Sequence, residues 1–184
     1  MSENKFADTS ALGLFIVAIA LLVFGFVGVL TYAKSEFASI GLMLGPMAWY
    51  ASIMFLLIAI AQFMAGSKFM TVIFGFLAFT FAVFSKAAEW FPFGAATDGV
   101  FLFYILIGVF FILFALWTYL AKAGYMLMGI LLMAGLAFLM YALALNADDG
   151  LIFFLLMGLF SFVGGILAIY LAIVDTTGLK LPVM

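Results

Sequence analysis

The residues of this chain that could do chemistry are few and uncharged. Histidine and cysteine are absent from its 184 residues. Their absence removes the commonest general base, the usual zinc and haem ligands, disulfides and thiol nucleophiles. Asp, Glu and Lys stand at the edges of long apolar runs and never deep within them. Proton relays, voltage sensors and ion-coupled carriers need ionisable groups inside the membrane. An intramembrane enzyme needs a nucleophile paired with a base or a metal, and no such pairing occurs. What remains inside the runs is a neutral set: Trp49, Tyr50 and Ser52 after Pro46, then Gln62, Thr71, Thr80, Tyr104 and Ser161. Pro46 also frees the carbonyl one turn before it for another partner. Such groups either join one helix to another, at around 0.6 kcal/mol each, or hydrogen-bond a small solute crossing the membrane. The chemistry is that of passage or packing, with no enzyme activity, cofactor or metal site expected.

One run draws these groups together. From Phe69 to Ser85, Thr71, Gly75, Ala78 and Ala82 recur at helical spacing and fall on one stripe. A membrane helix with one small face can approach a second helix closely or border a narrow path. Both readings stand at this point.

The elements that must position these residues follow from composition. Hydrophobic residues make up 71% and charged residues 8%, against about 25% charged in a soluble domain. The chain cannot cover itself with a polar surface, so it is an integral membrane protein, surrounded by lipid. Arginine is absent and the net charge is −2, which argues against a nucleic-acid partner. The polar start, Met1 to Ser10, lacks the pattern of a cleaved signal. About 20 apolar residues span a bilayer as a helix. Six runs qualify: 11–33, 40–65, 69–85, 99–121, 123–145 and 151–174. The expectation is an all-α membrane protein of six transmembrane helices forming one membrane domain over residues 1–184.

With six spans both termini share a side. That side carries Lys5, Lys68, Lys122 and Lys180, and the other carries Lys34 and Lys86. The positive-inside rule places both termini in the cytoplasm of a cell that holds the protein in its plasma membrane. The outer side collects Glu36, Glu89, Asp98, Asp148 and Asp149, a rim that mildly disfavours an approaching anion. Shifting the chain by 90 residues lays Ser161, Gly165, Ala168 and Ala172 on Thr71, Gly75, Ala78 and Ala82. Two halves of three spans each would be inverted in the membrane, with a solute path where they meet. Chance matching in a Gly/Ala-rich chain is the competing explanation.

Several blocks resemble one family. Asp8-Thr9-Ser10-Ala11-Leu12-Gly13-Leu14 is similar to the Asn-Pro-Ala-Pro-Leu-Gly-Leu signature of the acetate uptake transporter family, six-span acetate and succinate permeases. Ala61-Gln62-Phe63-Met64-Ala65-Gly66 resembles that family's Ala-Gln-x-x-Ala-Gly, and Phe74-Gly75-Phe76-Leu77-Ala78-Phe79-Thr80 its Phe-Gly-x-x-Ala-Phe-Thr. Ala168-Ile169-Tyr170-Leu171-Ala172, with Gly164-Gly165 before and Leu181-Pro182 after, is similar again. The blocks stand in family order across nearly the whole chain.

The departures bear on the path. Of the signature, Leu12, Gly13 and Leu14 are kept, while its Asn and both prolines are replaced by Asp8, Thr9 and Ala11. The family's constriction of Phe, Tyr and Leu falls on Val17, Ala82 and Leu132, so only the Leu survives; Phe15 and Phe81 stand near enough to replace the lost bulk. The resemblance implies a homohexamer, each protomer carrying acetate or a similar short monocarboxylate. It places Gln62, Thr80, Thr71 and Phe81 along the substrate path. No carboxylate stands mid-membrane to carry a proton, so proton-linked transport would move the undissociated acid, which is far easier to desolvate than the ion. The alternatives are a urea or amide channel, another six-helix design, and a membrane assembly protein that transports nothing.

Overall fold

A computed structural model describes residues 9–35, 44–90, 98–147 and 149–177, with backbone alone for 87–90 and 98. Six helices follow in order: α1 Ser10–Tyr32, α2 Leu44–Met64, α3 Lys68–Trp90, α4 Asp98–Leu120, α5 Tyr125–Asn146 and α6 Leu151–Thr177. All six are long and apolar enough to cross a membrane. In lipid a spanning segment must satisfy its own backbone, which the helix does. Past the apolar runs expected at 69–85 and 151–174, α3 continues through Lys86 to Trp90 and α6 through Asp175 to Thr177. A charge ends the apolar run without ending the helix, because a long side chain can reach outward. Lys86 does so over the Trp49 ring, 5.5 Å from its centroid. Asp8, Glu36, the start of the second span, Leu42 (whose carbonyl Pro46 would free), residues 91–97, Asp148 and Leu181-Pro182 lie outside the described residues.

Three helices end in the same way. The amides of Lys34 and Ser35 bond the carbonyls of Thr31 and Leu30; Gly66 and Ser67 bond Phe63 and Gln62; Lys122 and Ala123 bond Tyr119 and Thr118. These paired bonds are Schellman caps, which need a left-handed residue. Gly66 supplies it at φ 81°, while Lys34 and Lys122 adopt φ 51° and 53° despite their side chains. The reversals after α2 and α4 are only a few residues long and bring successive helices back antiparallel.

Packing is uneven. α1 lies along α6, α5 along both α4 and α6, and α2 along α3, whereas α1 meets α2 and α3 meets α4 only narrowly. Glycine explains the close seams. A Cβ on Gly28 would come within 2.5 Å of the Phe154 carbonyl, and one on Gly158 within 2.9 Å of the Gly25 carbonyl. Helix backbones approach this closely in membranes only where side chains are small. Aromatic rings make the narrow α3–α4 seam, with Phe76 against Phe110, Phe111 and Phe114 at 5.7, 5.5 and 4.9 Å. Of the pairings that two inverted halves would share, α2–α3 matches α5–α6, but α1–α6 has no equal in α3–α4.

Candidate functional site

Because α1 and α2 barely touch, a chamber of about 340 Å³ remains between α1, α2, α3 and α5, with Phe111 from α4 at its edge. Its wall is almost wholly apolar. Leu14, Val17 and Leu21 come from α1, Met47 and Ala51 from α2, and Leu127, Leu131 and Ala134 from α5. On α3 the wall is Met70, Ile73, Phe74, Leu77, Thr80, Phe81 and Phe84. That is one helical stripe of large residues. The small-residue stripe lies to another side: a Cβ on Gly75 would meet nothing within 4 Å.

Among the described lining residues Thr80 carries the one buried hydroxyl, only 1% exposed, and its Oγ1 has no hydrogen-bond partner. The contrast with its relatives is informative. Thr71, Thr118, Thr176 and Thr177 each donate to a carbonyl four residues earlier in sequence, the ordinary resolution for threonine in a helix. A buried hydroxyl left unpaired costs about 1–3 kcal/mol. Ser161 Oγ is also buried and unpartnered, but it belongs to α6 and does not line the chamber.

Both ends of the chamber are aromatic. At one end Phe24 packs on Phe84, Phe138 and Tyr141 at 6.2, 5.5 and 5.3 Å. Tyr104 and Tyr141 hydrogen-bond each other behind them, with ring centroids 4.8 Å apart. At the other end the Phe74 ring lies directly on Gly13, where any Cβ would collide with it, and stacks on Phe55 at 6.1 Å. Among the described residues the side between α1 and α2 is incomplete. Ile19, Tyr50 and Met54 line the chamber and are also exposed on the outer face of the helices.

Of the residues expected along the path, Val17, Thr80 and Phe81 meet in the chamber wall. Thr71, Ala82, Leu132 and Phe15 are not part of that wall. Leu131 and Phe81 take the places beside Leu132 and Ala82, since one residue along a helix turns the side chain by about 100°. Gln62 is buried near the chain start and donates to Thr9 Oγ1 at 3.1 Å. Nearby, Ser10 donates to Asp175 Oδ2 at 2.6 Å, fastening α1 to α6. Leu12 faces outward and Leu14 inward, with Gly13 beneath Phe74. Phe24 and Phe138 were not singled out by sequence, because an aromatic residue lining a cavity reads like any buried phenylalanine. Among the described residues no group of His, Cys, Asp or Glu could hold a metal ion.

The fold is a bundle of six helices, each long and apolar enough to cross a membrane. A solved structure described as that of the bacterial acetate channel SatP matches it with a TM-score of 0.75, covering 97% of this chain and 99% of that one at 19% identity. No protein-family profile matches the chain, and no curated protein does.

Proposed function

We propose that this protein is a membrane channel or permease for acetate and similar short monocarboxylates, carried as the undissociated acid. The observation that carries the reading is the chamber itself: an apolar space with aromatic ends and one buried, unpartnered hydroxyl. The likeness of fold to SatP supports it. A carboxylate ion would find no cationic group among the described lining residues and one buried donor, and desolvating it would be far more costly than desolvating the neutral acid. Urea carries several amide donors that one hydroxyl cannot satisfy, so the urea alternative is the weaker. Val17 and Phe81 narrow the path, and Thr80 holds the solute while it is away from water. The protein assembles as a homohexamer in the plasma membrane with both termini cytoplasmic. Uptake of labelled acetate into proteoliposomes tests the function. Saturable flux that grows as external pH falls supports it; urea flux alone, or no flux above protein-free liposomes, contradicts it.

A further inference from the structure

The chamber is larger and drier than an acetate-sized solute requires. Its 340 Å³ is the liquid share of about eleven waters at ~30 Å³ each. Acetic acid, with one methyl beyond its carboxyl, fills a minor part of that space. Apolar cavities with such linings stay dry and take apolar ligands. Octanoic acid, of roughly ten non-hydrogen atoms, matches the space if each occupies about a water's share. The chamber also has an opening to the side: Ile19, Tyr50 and Met54, between α1 and α2, line it while being 55%, 71% and 39% exposed.

We propose that the chamber is a binding site for a medium-chain monocarboxylic acid, which passes in undissociated form from the bilayer through the gap between α1 and α2. Its tail lies along Leu77, Leu131 and Ala134, and its carboxyl group hydrogen-bonds Thr80 Oγ1. The neutral form is required because, among the described residues, no charged side chain lines the chamber. A lateral route suits such a ligand, whose tail dissolves in lipid before it reaches the protein. This inference rests on the reading of the chamber as the solute site and extends its substrate class.

The test is equilibrium binding of labelled monocarboxylic acids to the protein in lipid nanodiscs, with empty nanodiscs subtracted. Saturable binding is expected, tightening by up to about four-fold per methylene from butanoic to octanoic acid and reversing once the tail outgrows the chamber. Thr80→Val should weaken it about ten-fold. Ala51→Trp, which adds bulk to the wall beside the gap, should slow association. In a chain otherwise free of cysteine, Met54→Cys should react with a bilayer-soluble maleimide and be protected by octanoic acid. Binding equal to that of empty nanodiscs, no trend with chain length, or indifference to Thr80→Val overturns the proposal. A Cys at 54 that is unreactive with and without ligand places another copy or a tightly held lipid over the gap and overturns the lateral route. Acetate flux from the same preparation is scored separately. Flux without octanoic acid binding overturns this inference alone, whereas binding without flux overturns the acetate reading and leaves the site.

Discussion

Thr80 concentrates the argument at the scale of the residue. Among the described residues it is the buried threonine whose hydroxyl has no partner, and it lies in the chamber wall. If its hydroxyl is kept for a solute, Thr80→Val should separate stability from function. Removing an unpaired buried hydroxyl should raise stability by about 1–3 kcal/mol in the solute-free protein, while acetate flux falls. Melting temperature and flux measured together check this, and a variant that loses both would assign Thr80 a packing role. Sequence could point to Thr80, because a hydroxyl stands out in an apolar run. It could not point to Phe74, whose fit over Gly13 depends on two helices meeting. Gly13→Ala should therefore destabilise by about 1–3 kcal/mol through overpacking, measurable by thermal unfolding.

At the scale of the element, helices were legible and their faces were not. Six uninterrupted apolar runs can only become six spanning helices. Which stripe of a helix faces lipid, a neighbour or a cavity is a different matter, because all three are apolar. Helix α3 illustrates it: the small stripe through Thr71, Gly75, Ala78 and Ala82 attracts notice, with Ala78 buried and Gly75 beside open space, and the chamber lies on the large stripe through Ile73, Leu77 and Phe84. In α6 the matching stripe does pack, since a Cβ on Gly165 would meet Leu22 at 2.9 Å and the Ala18 carbonyl at 3.3 Å. The contrast is testable. Gly158→Ala, between the α1 and α6 backbones, should cost about 1–3 kcal/mol. Gly75→Ala, facing open space, should be neutral or stabilise by up to about 1 kcal/mol through helix propensity. Thermal unfolding of both variants in one detergent decides. Ala82→Tyr, off the chamber wall, should leave flux unchanged, whereas Leu77→Trp, on it, should block flux.

At the scale of the whole molecule, the lysine distribution predicts an orientation that labelling can test. Single cysteines at Ala33 and Ala123, both exposed in turns at opposite ends of the bundle, should label from outside the cell and only after lysis, respectively; the reverse pattern would invert the topology. Oligomeric state was not legible in composition, because lipid-facing and protomer-facing surfaces are equally apolar. The gap between α1 and α2 was equally hidden, since no residue pattern announces that two sequential helices fail to pack. The central claim is that undissociated monocarboxylic acid crosses through the chamber past Thr80. The most direct measurement is labelled acetate uptake into proteoliposomes of wild type and Thr80→Val over a series of external pH values, with protein-free liposomes subtracted. The account predicts saturable wild-type flux that increases as pH falls and the neutral acid accumulates, reduced in the variant at every pH with folding intact. Flux that is absent, independent of pH, or equal in the two proteins would contradict it.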